Sequence, residues 1–337
     1  GKSRLVDALY QPYLQQKQAV VFLCQADELV RQSLNPFRSF LARYFYQSQM
    51  AGDEVNKQRF AVQFDELLAS TSDATVAQEL QRTRSFLGNL VDLNWQGSLF
   101  EQLDPELRFE NTLDGLKALF KAESVRRPVI IHLEDAHWWD QDSLTFLTRL
   151  ARNVDNFPFI LLVTSREALP ESLFDASISL TTHHLRRLDR TAVTSLAETI
   201  LGHAPSPALE KLLVERTEGN PFFVEQILLY LQDHDLLDAA ESATAQTLQS
   251  DVTIPTDVRA VLTARLDRLP FELKDLVQRA SILGQEFDMP LLSRMVDGDE
   301  ELDAHLAAGE KEQVWFSSGR ANYVFRHALL RDAAYDM

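Results

Sequence analysis

One cysteine, Cys24, stands among 337 residues. A single thiol excludes an internal disulfide and a thiolate metal cluster, and it fits a reducing compartment. No run of about 18 apolar residues occurs, so no membrane-spanning helix and no membrane partner is expected. Nor does the chain open on a charged, then apolar leader with a small-residue cleavage site, which makes cytoplasm the expected location. Basic residues are also scarce: Lys and Arg number 33 against 50 Asp and Glu, a formal charge of −17. Non-specific nucleic-acid binding depends on cations that neutralise phosphates, so this balance argues against nucleic acid as a partner of this region. A local basic patch remains compatible with a nucleotide.

What is present has the balance of an ordinary globular protein, 45% hydrophobic and 25% charged, over a length suited to two or three packed units. Three short apolar runs read as buried strands: AVVFLC at 19–24, PVIIHLED at 128–135 and FPFILLVTSR at 157–166. Between the last two lies DSLTFLTRLARNV, whose Leu144, Leu147, Leu150, Ala151 and Val154 share one helical face. Strands alternating with helices predict an α/β fold with a parallel sheet covered on both faces. Residues 35–122 break the rhythm; rich in Gln, Phe and Leu, they read as a helical insertion.

After Leu185 helices dominate. Asp189 is placed to cap a helix with the stripe Val193, Leu196, Ala197, Ile200 and Leu201; Ser206 starts a second that Gly219 ends, and Asn220 with Pro221 starts a third carrying Phe223, Ile227, Leu228 and Leu231. The polar stretch Ala239 to Thr253 reads as a mobile linker. Helical patterns follow at Thr256–Arg268, Phe271–Leu283, Pro290–Val296 and around Leu302–Ala308. QVWFSSGRANYVFRH then supplies two short β-type segments joined by a turn containing Gly319, before a closing helix from His327. Helices followed by a hairpin make a winged helix. The expected organisation is a core at 1–184 holding the 35–122 insertion, a helical lid and linker at 185–250, and a winged-helix domain at 251–337.

Chemistry gathers at a few points. Gly1-Lys2-Ser3 are the last three letters of the phosphate-binding pattern G-x-x-x-x-G-K-[ST], and RLVDALY continues as a helix, as that loop requires. In such a loop the Lys reaches the β- and γ-phosphates and the Ser hydroxyl ligates Mg²⁺, both at a helix N-terminus that favours anions. The N-terminal strand and most of that P-loop are absent from the sequence; about 15–30 upstream residues are expected to supply them.

The strand at 128–135 ends in Glu134 and Asp135, at the carboxyl end of a parallel sheet, where ligands bind. Taken alone, the two acids either serve Mg²⁺ and an attacking water or simply end a strand, with Asp140 capping the next helix. Arg166, after the third strand, is either a γ-phosphate contact or a solvated arginine. EGNPFFVEQ at 218–226 is accounted for as a turn and helix cap, and a lone His327 is most often a packing residue.

Taken in order, GKSRL, LEDAHWWDQDSL, VTSRE, EGNPFFVEQ, IPTDVRAVLTARLDRLP and YVFRHALLRDAAY resemble the AAA-like P-loop ATPase region of STAND proteins, the signal-transduction ATPases with numerous domains. Such regions accompany class III adenylate cyclases, tetratricopeptide repeats and LuxR-type regulators resembling the maltose activator. The resemblance spans nearly the whole chain, least specifically at 35–122; EDxHWxD and GNPFF are its most discriminating pieces. It implies ATP/ADP and Mg²⁺ as cofactors, bound by Gly1, Lys2, Ser3 and Arg4, with Ser3 and Glu134 toward the metal, Asp135 activating water and Arg166 sensing phosphate. Pro221 would lie beside the adenine. His327 would contact the ADP β-phosphate, although this chain has Phe325-Arg326-His327 where the relatives carry Met-His-Asp. NKQR at 56–59 lacks the Asp of a guanine-binding Asn-Lys-x-Asp. The implied activity is slow ATP hydrolysis that times an effector on the same full-length chain (a cyclase, repeat or DNA-binding module), with homo-oligomers when ATP is bound. Two rivals stand beside it: a DNA-binding regulator acting through the winged helix, and an inactive ADP-bound scaffold.

Overall fold

A computed structural model describes residues 1–25, 32–48, 50–170, 173, 179–242, 257–296, 301–317 and 322–337. The chain divides into two compact units, Lys2–His183 and His184–Met337, with Gly1 grouped with the latter.

In the first unit the three apolar runs become β1 (Val20–Gln25), β2 (Val129–Glu134) and β3 (Phe159–Val163). They form a parallel sheet in the order β1-β2-β3, with Val20 beside Val129 and Val129 beside Phe159. Each strand is shorter than its apolar run. Pro128 and Pro158 have no N–H to give, so they stay outside and only accept, from Val20 and Val129. At the other end Asp135 takes φ 51, which turns the chain out of the sheet.

Phe22, Cys24, Val129, Ile131 and Leu133 alternate onto one face and enter the main core. The thiol of Cys24 is fully buried there, and burial pushes it up to about 12, so it is chemically inert at neutral pH. The residues at 35–122 are helical, as α2 (Asn35–Tyr44), α3 (Asp53–Ser70), α4 (Ala74–Arg82), α5 (Arg84–Leu90), one turn of α6 (Leu99–Gln102) and most of α7 (Pro105–Arg126). They are not an appendage. Phe40 lies 5.0 Å from Phe22 and 5.4 Å from Phe120, ring to ring, so this segment supplies much of the sheet's covering layer. Helix α7 runs past residue 122 to Arg126 and leads into β2, as a parallel crossover requires.

On the opposite face lies α1 (Lys2–Gln15), with the Tyr10 ring 6.0 Å from His132 of β2. After β2 come a 3₁₀ turn at Ala136–Trp138 and α8 (Gln141–Leu150). The predicted stripe of α8 holds for Leu147 and Leu150, but Phe146 is also buried, and Ala151 and Val154 lie beyond the helix. The helix stops early because Lys117 Nζ donates to the Arg149 and Arg152 carbonyls, at 2.8 and 2.6 Å, satisfying groups that a longer helix would have paired.

The second unit starts with α9 (Arg190–Leu201), α10 (Pro207–Thr217), α11 (Pro221–Asp233) and α12 (Leu237–Ser242). The caps are those read from sequence: Asp189 accepts from Ala192 N–H at 2.9 Å, Ser206 from Leu209 at 3.2 Å and Asn220 from Phe222 at 3.1 Å. Gly219, at φ 76, has no substitute, since a Cβ there would lie 2.1 Å from the Leu188 carbonyl oxygen. Residues 239–242, expected in a linker, instead close α12, because Ala240 is fully buried against the helices before it. The remainder, 243–253, and the turn around Gly319 lie outside the described residues.

Then follow α13 (Val258–Asp267), α14 (Phe271–Leu283), β4 (Glu286–Asp288), α15 (Met289–Met295), α16 (Leu302–Lys311), β5 (Trp315–Ser317), β6 (Asn322–Phe325) and α17 (Ala328–Tyr335). The strands form an antiparallel sheet ordered β4-β6-β5. The β5-β6 pair was expected; β4 was not, because its partner β6 is more than thirty residues later. Trp315 is fully buried and donates Nε1–H to the Leu306 carbonyl at 2.9 Å, in space that Gly309 leaves open. No helix among the described residues is long and apolar enough to cross a membrane.

Candidate functional site

The carboxyl end of β2 sets the geometry. Glu134 is the last strand residue and Asp135 adopts φ 51, ψ 49, a left-handed conformation that Asp tolerates better than most residues. Thr164, just past β3, holds this turn. Its carbonyl accepts from Ala136 N–H at 2.9 Å, its hydroxyl accepts from Asp135 N–H at 3.3 Å, and its own N–H donates to Leu133 at 2.9 Å. Trp139 Nε1–H adds a contact to the Glu134 carbonyl at 3.3 Å. Arg166, two residues beyond Thr164, therefore emerges beside the acids and is exposed. Asp140 is a cap: it accepts from Ser143 N–H at 2.9 Å and from Leu34 N–H at 3.2 Å.

Lys2 opens α1 and reaches the same place. Its ammonium is held below the ordinary lysine range mainly by desolvation; attraction from Asp135 and Glu134 opposes the shift and repulsion from Arg166 adds to it. The structure thus gathers Lys2, Glu134, Asp135 and Arg166 into one field. Gly1 immediately precedes α1, Ser3 lies in its first turn with a side chain outside the described part, and Arg4 is exposed with no described contact to the acids.

His137 was not singled out from the sequence. Its side chain is only 7% exposed, with Nδ1 3.8 Å from Asp135 Oδ1 and its ring centroid 4.9 Å from that of Trp138. Neither ring nitrogen has a hydrogen-bond partner among the described residues. Desolvation keeps the imidazole below its usual range, Asp135 pulls the other way, and Arg166 and Lys2 reinforce the desolvation. The signal available beforehand was its place in EDxHWxD, two residues after an acid that ends a strand.

Pro221 and His327 belong to the second unit. Pro221 is the first residue of α11 behind the Asn220 cap. His327 caps α17, its Nδ1 accepting from Leu329 N–H at 3.2 Å, and its ring stacks on Phe222 at 3.8 Å and 13°. The pair ties the starts of α11 and α17 together.

A cavity of ≈ 710 Å³ between α4, α7 and α8 is lined by Lys117, Lys121, Arg149, Arg152, Glu79 and Asp114, and shares no residue with the acid cluster. Chemistry, not volume, marks the site. Among the described residues no three His, Cys, Asp or Glu side chains form a metal cage. The desolvated Lys2 at a helix start, the two acids and the unpartnered His137 beside them fit a phosphate-bearing ligand with Mg²⁺.

Residues 1–163 match the family model of the AAA ATPase domain. An uncharacterised protein of Rhizobium meliloti (strain 1021) is 28% identical over 259 residues, 72% of this chain and 24% of that protein. The chain therefore spans about a quarter of the curated relative's length. Among solved structures, a STAND protein with a tetratricopeptide repeat sensor from Pyrococcus horikoshii gives a TM-score of 0.48 at 14% identity, covering 100% of this chain and 42% of that one. A Walker-type ATPase of Pyrococcus abyssi gives 0.27 at 14% identity, over 96% and 93%. Neither structural likeness is close enough to carry an argument about this chain.

Proposed function

Taking residues 1–163 as the AAA-type P-loop ATPase region that the family match identifies, we propose that the protein is a STAND-type nucleotide switch. It binds ATP or ADP with Mg²⁺ and hydrolyses ATP slowly, timing an effector elsewhere on the full-length chain. One observation carries this reading: Lys2, Glu134, Asp135 and Arg166 meet in one electrostatic field at the carboxyl end of a parallel sheet. Lys2 and the amides of the first turn of α1 hold phosphate oxygens, Ser3 and Glu134 hold the metal, Asp135 accepts the proton of the attacking water, and Arg166 contacts the terminal phosphate. The metal, when bound, supplies the charge neutralisation that phosphoryl transfer needs.

In the second unit, α9 to α12 act as a lid with Pro221 beside the adenine. The helices and three-stranded sheet from Val258 onward act as a winged-helix element whose His327 responds to ADP. The Phe222–His327 stack supports a shared response of those two parts. A relative about four times the length of the matched portion leaves ample chain for a cyclase, repeat or DNA-binding effector.

The test is Lys2→Ala in the full-length protein. Titration calorimetry with MgATP is expected to show affinity weakened about ten- to a hundredfold, the worth of a charge-assisted hydrogen bond. Unchanged affinity sinks the proposal. Single-turnover hydrolysis separates a switch from a permanently ADP-bound scaffold. A gel-shift assay with duplex DNA across a salt series tests the DNA-binding rival, which the charge of −17 opposes.

A further inference from the structure

We propose that His137 is a positioning residue for Asp135: its imidazole donates Nδ1–H to the Asp135 carboxylate once a nucleotide is bound, aiming that carboxylate at the attacking water. The inference rests on the ATPase reading and adds a residue to it.

Two buried, unpartnered ring nitrogens are costly, about 1–3 kcal/mol for each group left without a hydrogen bond. Such a group calls for a reason, whether strain, a bound water or ion, or a chemical role; His132 has the same two unpartnered nitrogens, but only His137 stands beside the acid pair. The ring is already placed for this. Ala136–Trp138 form a 3₁₀ turn anchored by Thr164, Trp138 packs along the imidazole, and Nδ1 stands 3.8 Å from Asp135 Oδ1. That gap is less than 1 Å beyond a good N–H···O bond. Burial, with Lys2 and Arg166 adding to it against Asp135, favours the neutral ring, which has one N–H to donate. Left alone, Asp135 has freedom about its side-chain torsions that a water-activating carboxylate must lose.

The experiment compares the wild type with His137→Asn, which keeps a donor near the Nδ1 position, and His137→Phe, which keeps the packing on Trp138 without a donor. MgATP affinity is measured by calorimetry, turnover by phosphate release, and the wild-type ring nitrogens by ¹⁵N NMR of labelled histidine with a non-hydrolysable ATP analogue and Mg²⁺. Expected are about a tenfold or larger fall in kcat for His137→Phe, affinities within about threefold of wild type, substantial rescue by Asn, and a change in the Nδ1 signal on binding. Wild-type turnover in His137→Phe, equal losses in both variants, or an Nδ1 signal that ignores the analogue each overturns the role. A wild-type protein that binds no MgATP overturns the switch reading itself, and the positioning role with it.

Discussion

At Asp135 the backbone is left-handed, with φ 51, and this limits what can replace it. Asn and Asp visit that region readily, whereas Ala and larger residues meet a penalty of about 1–2 kcal/mol. Asp135→Asn is therefore expected to keep the denaturation midpoint and MgATP affinity of the wild type while turnover falls at least about a hundredfold, the share of a general base. Asp135→Ala should match that loss of turnover and also lower stability by about 1 kcal/mol, read from urea unfolding. A stable Ala variant would mean that the turn is not under strain. The two acids were legible in sequence because they follow an uninterrupted apolar strand. His137 was visible only as a letter of EDxHWxD, without a role: burial of one imidazole in a polar-looking turn is decided by how Thr164 folds that turn against β3, and Thr164 is about thirty residues away.

Among the elements, residues 35–122 separate pattern from packing. Helical periodicity was visible there, but periodicity does not say what a helix covers. The structure answers with aromatic contacts: Phe120 of α7 stacks on Phe40 of α2 and approaches Phe22 of β1 at 6.1 Å, and it is fully buried. Phe120→Ala is accordingly expected to destabilise the first unit by about 3–5 kcal/mol. Exposed Val62 on α3 is a control, where truncation should stay within about 0.5 kcal/mol. Both values follow from urea unfolding monitored by circular dichroism. A mild Phe120→Ala would mean that this segment contributes little to the core of the first unit. In the second unit the caps of α9, α10 and α11 were readable because each is a local rule written in one or two residues. The strand β4 was not, since its partner β6 is more than thirty residues later.

For the molecule as a whole, the change from alternating strands and helices to helices alone near Leu185 was visible in the sequence, but the core of each unit was not. Each unit closes its own apolar clusters, and the chain between them, residues 179–187, forms no helix or strand and is exposed throughout. Exposed chain that forms no helix or strand is what proteases cut. Arg186 and Arg187 lie in this stretch, and the Arg187–Glu218 ion pair is too exposed to protect it. No Lys or Arg occurs between Arg216 and Arg259, so trypsin is blind to the polar stretch at 239–253 and reports on the junction without competition from it. Brief digestion is expected to cut first after Arg186 or Arg187, and mass spectrometry of the products should place both new termini there. First cuts inside α7 or α14 would mean that the chain does not hold two separately closed cores.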